Sequence, residues 1–346
     1  MNQSVFSNKN IRILTGDRPT GKFHLGHLFG SLQERINLQN EGAECFFIIA
    51  DYQAMTDRLT TKELEENILE AARTYLALGI DPIKSHIFVQ SQIPEDAELF
   101  SLFSMMVNIG RLGRNPTTKA EFRAAVSQGF TGENQMSLGL FSYPVFQAAD
   151  ILLFNATTVP VGEDQLPHLE QTKEIAEFFN KHFGKVFNIP KPLITKGARI
   201  LGLDGIQKMS KSLNNAIYIF DPPEIITAKI KKAHTDSNTD IKYDPQTRPG
   251  LSNLINIYSL SSGISIKDIE KTFVGKNYSQ FKEALAEVLI KYLAPYRDKY
   301  AELLKDDRKV KEALKIGTEV AKIEAKKTMT SIKSALKMDY KEIFNS

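Results

Sequence analysis

Ile11-Arg12-Ile13-Leu14-Thr15-Gly16-Asp17-Arg18-Pro19-Thr20-Gly21-Lys22-Phe23-His24-Leu25-Gly26-His27 is the stretch that decides the fold. Ile11–Thr15 is a short apolar run, read as a strand; Gly16 to Gly21 is rich in turn residues; an amphipathic pattern from about Leu25 to Asn40 reads as a helix. Outward from this unit the alternation continues. Cys45–Ala50 is an apolar strand ending at Asp51, Thr61–Leu78 a helical pattern, His86–Gln90 a third strand, and Thr158–Val161 a further strand leading into a helix after Asp164. Apolar runs without polar alternation belong to strands covered on both faces, hence to a parallel α/β sheet. Between these halves, from Pro94 to about Gly139, the pattern turns helical and charged, with Arg111, Arg114 and Arg123, and reads as an insertion. Beyond Asp221-Pro222-Pro223 there is no strand signal; Pro223 suits a helix start, and long helical stretches run from about Ser279 onward.

Composition narrows the class. At 346 residues and 42% hydrophobic content the chain can build two cores. Cys45 is the sole cysteine, so there is no intramolecular disulfide and no cysteine metal framework, which fits a reducing compartment. No apolar run reaches the roughly 20 residues of a membrane span, and the N-terminus lacks a signal-peptide core, so a cytoplasmic protein without a membrane partner is expected. Net charge is +3, but from Pro223 onward there are 23 Lys and Arg against 17 Asp and Glu. A basic C-terminal third suits a phosphate backbone, and lysine-rich solvated helices give the same count.

Two motifs carry chemistry. In His24-Leu25-Gly26-His27 the histidines are three apart and share a face of a helix start, Gly26 removes a side chain beside the backbone, and a helix N-terminus favours phosphate. After a strand and a turn, this arrangement points to nucleotidyl transfer. In Lys208-Met209-Ser210-Lys211-Ser212, two lysines three apart beside small hydroxyl residues suit a loop that closes on β- and γ-phosphates, where ammonium groups stabilise charge building on a departing pyrophosphate.

Taken together the two motifs resemble the signatures of class I aminoacyl-tRNA synthetases, and three further stretches are similar to bacterial tryptophanyl-tRNA synthetases: Thr15–His27, Tyr143-Pro144-Val145-Phe146-Gln147-Ala148-Ala149-Asp150-Ile151-Leu152-Leu153, and Val159-Pro160-Val161-Gly162-Glu163-Asp164-Gln165 running on to His168. The resemblance implies a Rossmann-type parallel-sheet catalytic domain over 1–222, with its helical insertion at about 94–139, followed by an all-helical anticodon-binding domain over 223–346. It implies catalytic roles for His24, His27, Lys208 and Lys211. Against ATP it sets Arg18, Pro19, Thr20, Gly26, His27, Gly162, Glu163, Asp164 and Ile200, with Lys208, Met209, Ser210, Lys211 and Ser212 closing over the phosphates. Around tryptophan it sets Tyr143, Gln147, Asp150 and Gln165, with Asp150 as acceptor for the indole N–H. The substrates implied are ATP, L-tryptophan and tRNA(Trp), with Mg2+ accompanying ATP, no structural metal, and a homodimer.

The residues themselves agree on Asp150: indole offers one donor and no acceptor, so a carboxylate in an apolar slot is a suitable partner. Tyr143 and Asp150, seven apart, share a face if their helix is unbroken, which puts Pro144 in its first turn. Gln147 stands where many family members carry a hydrophobic residue, often methionine, and Gln53 where some carry histidine. Tyr–Pro–x–x–Gln–x–x–Asp also occurs in archaeal-type tyrosyl-tRNA synthetases, so tyrosine activation is the runner-up within the class. A synthetase-derived RNA-binding protein without catalysis, and a small-molecule adenylyltransferase, are the alternatives outside it.

Overall fold

Five parallel strands, β1 (Arg12–Asp17), β2 (Glu44–Ile49), β3 (Ser85–Val89), β4 (Thr158–Val161) and β5 (Lys191–Ile194), form a sheet in the order β3-β2-β1-β4-β5. They come from a computed structural model that describes residues 11–56, 61–127, 136–194, 200–211, 213–340 and 343. Ser212 and the side chain of Asp164, both assigned to ATP by resemblance, lie outside the described residues. The first four strands match the apolar runs of the sequence to within two residues. The fifth, Lys-Pro-Leu-Ile, carries no apolar run: it is a largely exposed edge, where Pro192 is tolerated because no ladder needs its N–H.

The helices are α1 (Leu25–His27), α2 (Gln33–Asn40), α3 (Asp51–Ala54), α4 (Leu64–Leu78), α5 (Pro94–Ser104), α6 (Ile109–Leu112), α7 (Pro116–Ser127), α8 (Leu138–Leu153), α9 (Leu166–Phe183), α10 (Pro223–Lys232), α11 (Pro249–Ser262), α12 (Ile266–Thr272), α13 (Tyr278–Lys305) and α14 (Arg308–Ala335). A π-helical stretch, Leu28–Leu32, joins α1 to α2. The helical insertion is α5 to α7, and from Pro223 onward the described residues are helical or coiled, as the sequence predicts.

Alternate residues of the strands serve two cores. Ile13, Cys45, Phe47, Ile49 and Ile87 pack with the segment after His24, with α4 and with α10, α11 and α13. Leu14, Phe46, Ile48 and Phe88 face the other way, onto α5, α8 and α9. Helix α14 joins both, Val310 and Ala313 on the first core and Ala321, Ala325, Met329 and Ile332 on the second, so it crosses the β3 edge. Gly317 makes that crossing possible: a Cβ there would stand 2.1 Å from the Ile87 carbonyl oxygen. The parallel sheet and the C-terminal helices therefore share apolar cores.

One local expectation is overturned. Ser137 caps α8, its hydroxyl accepting from Leu140 N at 3.0 Å, so the helix begins at Leu138 and Pro144 lies in its interior rather than in its first turn. The ring deprives the Leu140 carbonyl of its helical donor, a cost of about 3 kcal/mol. The buried row Val145, Ala148, Ala149, Ile151, Leu152 and Leu153 outweighs it, each large apolar side chain contributing roughly 1.5–3 kcal/mol. The helix runs unbroken, and Tyr143 and Asp150 are both buried on it.

Candidate active site

Strand order reverses between β1 and β4, and these two strands pair at a single register, Ile13↔Thr158, although β1 stays paired with β2 as far as Asp17↔Ile49. The strands part toward their carboxyl ends, which opens a crevice where open α/β sheets bind ligands. A cavity of about 260 Å3 lies there, lined among others by Gly16, Asp17, Arg18, Arg35, Gln53, Gln147, Asp150, Gly162 and Gln165.

At one end stands the two-histidine segment. His24 caps α1, with Nδ1 accepting from Gly26 N at 3.1 Å, while His27 Nδ1 accepts from His24 N at 3.2 Å. With both Nδ1 atoms accepting, each neutral ring carries its proton on Nε2 and can donate it outward. Burial, reinforced by His27, Lys211 and Lys208, pushes His24 down to about 3. Burial also dominates at His27, opposed by Asp17 and reinforced by Lys211, Arg35 and Lys208, and takes it down to about 4. Both imidazoles are thus neutral donors at pH 7. The rings lie 3.8 Å apart, and a Cβ on Gly26 would press to 2.9 Å of the His24 ring and 3.5 Å of Met209 Cβ. Glycine is required here by the ring packing.

The lysine loop is docked onto this segment. Met209 is buried in the core shared with Phe23, Leu25 and Leu28, and its N–H bonds the carbonyl of Ile200 at 3.2 Å. Asn215 accepts from Ser210 N at 2.8 Å and donates to Asp204 at 2.6 Å, while Asp204 also accepts from Ile206 N and Gln207 N. The loop is thereby fixed by Asp204 and Asn215, neither part of the motif. Lys211 Nζ donates to the Gly21 carbonyl at 2.8 Å and reaches Thr20 Oγ1 at 3.4 Å. The chain after the loop returns beside the histidines, Leu25 N bonding Ile217 O at 3.0 Å and Ile219 N bonding Phe23 O at 3.0 Å.

Between the two ends, Arg35 holds Asp17 at 2.6 Å and the Gly16 carbonyl at 3.2 Å, and the Tyr75 hydroxyl donates to Asp17 at 2.6 Å. Burial raises the Asp17 carboxyl, but Arg35, His27 and Tyr75 together outweigh it, and the net direction is down.

At the other end, Asp150 is 2% exposed. Gln53 Nε2 donates to its Oδ2 at 2.5 Å and Gln90 Nε2 to its Oδ1 at 2.7 Å. Burial, partly offset by hydrogen bonds from Asp96, Gln90 and Gln53, pushes it up to about 6. Gln147 lines the same crevice, its Oε1 buried without a hydrogen-bond partner among the described residues. Tyr143 stands off that lining: its hydroxyl meets His168 Nε2 at 2.6 Å, and Asn115 Nδ2 meets His168 Nδ1 at 3.0 Å. Glu163 lines a different cavity, of about 470 Å3, with Leu166, Lys173 and Pro192.

The structure thus brings Arg18, Gly162, Gln147, Asp150 and Gln165 into one crevice, gathers Thr20, His24, Gly26, His27, Ile200, Lys208, Met209, Ser210 and Lys211 into a second group of docked segments next to buried Pro19, and leaves Glu163 and Tyr143 outside the crevice lining. It adds Asp17, Arg35, Gln90 and Asp96, which the motifs do not contain. Asp17 and Gln90 were findable, since each closes or follows a predicted strand at the edge where parallel sheets hold ligands.

Known proteins resemble this chain over most of its length. The family model for tRNA synthetases class I (W and Y) matches residues 7–294. A tryptophan–tRNA ligase of Chlamydia caviae is 41% identical, the match covering 96% of this chain and 98% of that protein. Among solved structures, tryptophanyl-tRNA synthetase of Campylobacter jejuni, crystallised with ADP and tryptophan, superposes with a TM-score of 0.81 at 34% identity, over 94% of this chain and 99% of the other. The synthetase of Mycoplasma pneumoniae gives 0.84 at 30% identity, over 96% and 99%.

Proposed function

This chain belongs to the class I tRNA synthetases of the tryptophan and tyrosine group, and from that premise we propose how its own residues divide the reaction. The reaction is that of a tryptophan–tRNA ligase: L-tryptophan and ATP give tryptophanyl-adenylate and pyrophosphate, and tryptophan then passes to the terminal adenosine of tRNA(Trp). The tryptophan carboxylate attacks the α-phosphate directly, so no covalent enzyme intermediate is needed; positioning and charge stabilisation carry the rate. His24 and His27, neutral and protonated on Nε2, donate to phosphate oxygens. Lys208 and Lys211 meet the negative charge that gathers on the departing pyrophosphate. Arg18, Pro19, Thr20, Gly26, Gly162 and Ile200 line the nucleotide's path, with Glu163 and Asp164 at its ribose. Asp150 receives the indole N–H, beside Gln147 and Gln165, and Tyr143 acts through its bond to His168.

The observation that carries this assignment is the buried Asp150 carboxylate in the crevice, together with the His24–His27 segment, whose His27 bears electrostatically on Asp17 of the same crevice wall. Among the described residues no group of three His, Cys, Asp or Glu side chains stands close enough to hold a metal. Mg2+ would enter with ATP, and no step is routed through the ion. Residues 223–346 are assigned to anticodon reading, the assembly to a homodimer and the compartment to the cytoplasm. Among the described residues no helix is long and apolar enough to cross a membrane. Pyrophosphate–ATP exchange tests the reading: tryptophan supports it strongly and tyrosine little, and a preference for tyrosine would overturn it.

A further inference from the structure

Asp150 does not stand alone in its slot. Asp96, in the first turn of α5, is 1% exposed, and its carboxyl group meets that of Asp150. The Gln90 amide contacts both carboxyls. Asp96 Oδ1 is buried without a hydrogen-bond partner among the described residues. A third carboxylate, Asp51 at the start of α3, bears on the pair and itself accepts from Ser91 N at 2.9 Å. The cationic side chains of the crevice wall are Arg18 and Arg35, and Arg35 is engaged with Asp17.

Ionised carboxylates only accept hydrogen bonds, so two of them cannot be joined in a buried slot unless one carries a proton. With a proton between them the contact becomes a charge-assisted O–H···O bond. The surroundings decide which oxygen keeps the charge. Asp150 has an amide donor on each of its oxygens, whereas Asp96 shares one amide and has an orphaned oxygen. We propose that Asp96 is protonated at neutral pH and donates to Asp150, making it a positioning residue that sets the specificity of the amino-acid slot. An ionised carboxylate has about four acceptor positions. Gln53, Gln90 and the Asp96 hydroxyl occupy three, and the last is turned to the ring N–H of the substrate. This rests on the assignment of the slot to tryptophan made above.

The test is pyrophosphate exchange with tryptophan between pH 5.5 and 8 for wild type, Asp96→Asn, Asp96→Ala and Asp150→Asn, alongside thermal melting. In Asp96→Asn the side-chain amide supplies the donor in place of the carboxylic acid, so KM for tryptophan stays within about threefold of wild type. Asp96→Ala removes the donor, raises KM about tenfold with kcat little changed, and moves the acid limb of the KM profile toward neutral pH. Asp150→Asn is more harmful than Asp96→Asn because it removes the anion itself. Asp96→Asn as damaging as Asp96→Ala would overturn the proposal, as would a severe Asp96→Asn beside a mild Asp150→Asn, which would put the charge on Asp96. Should Asp96→Ala fail to fold, the two isosteric Asn variants still decide between these outcomes. Failure of the functional assignment shows separately, as wild-type exchange with tyrosine in place of tryptophan.

Discussion

The two ends of the crevice subject titratable groups to the same burial with opposite results. At the histidine end burial drives His24 and His27 down to about 3 and about 4, so both are neutral at pH 7 beside the cations of Lys208 and Lys211. At the amino-acid end burial drives Asp150 up to about 6 and raises Asp96 well above the usual carboxylate range. In the proposed assignment the first end meets a highly charged ligand with neutral donors and lysine cations. The second must recognise one N–H in an apolar ring, and it holds a single anion at the edge of ionisation. Rate and specificity are therefore separable in this molecule, and each end can be damaged without the other.

The largest separation is expected at the lysines. Lys208→Ala and Lys211→Ala should each lower kcat for adenylate formation by about 10- to 1,000-fold, the scale of losing a preorganised charge contact. Tryptophan affinity should hold. Equal losses in kcat and in tryptophan binding would mean that the loop, docked through Met209, supports the whole crevice.

Next is the element that both ends share. Arg35→Met leaves Asp17 without its cation and should cost roughly 3 kcal/mol, as for a broken buried pair, in denaturant unfolding at pH 7. The sign with pH follows from Asp17's lowered folded-state value. Its stabilisation is present above the unfolded value of about 3.9 and is lost as pH falls through the lower folded value, so the variant's deficit should shrink in strong acid. A deficit independent of pH would point to packing alone.

A smaller effect belongs to the specificity end. Asp150→Ala strands the indole donor and should cost roughly 1–3 kcal/mol in kcat/KM for tryptophan. Phenylalanine should lose less, so the two values converge. Full selectivity retained in exchange assays would remove Asp150 from the specificity device. The apo protein should respond oppositely to Asp150→Asn. A carboxyl whose folded-state value is raised loses stability as pH rises through that value, so neutralising it should add stability on the order of 1 kcal/mol at pH 7.5, read as a higher melting temperature. An unchanged or lower melting temperature would mean that the anion is not costly in its slot.

How much of this was legible beforehand differs between the ends. The nucleotide end is local in sequence: His24 to His27 and Lys208 to Ser212 are contiguous words, read directly from the chain. What anchors them, Asn215 and Asp204, is close by but carries no motif. The amino-acid end is non-local. Gln53, Gln90, Asp96 and Asp150 lie on separate segments, and only the parallel sheet brings their side chains together. Asp150 is named by the family resemblance, with which the pairing rule for indole agrees; Gln53 enters only as a departure from the family pattern, and Asp96 has no sequence signal beyond that of an acidic residue in a helix's first turn. Four strands were legible because they are apolar on both faces; β5 was not, because its edge position leaves it exposed. Pro144 misled because a helix-interior proline is tolerated only when tertiary burial outweighs its missing bond, which no local pattern reveals.

The central claim is that tryptophan is recognised by a buried anion poised near neutrality, apart from the phosphate chemistry. The chain contains no tryptophan residue, so the indole fluorescence of the bound amino acid can be followed directly without ATP. Titrating L-tryptophan from pH 8 to pH 5 should give a steady Kd down to about pH 6, where Asp150 takes up its proton, and a weakening of about tenfold per further pH unit. A Kd that stays flat to pH 5, or that weakens as pH rises, would contradict the account.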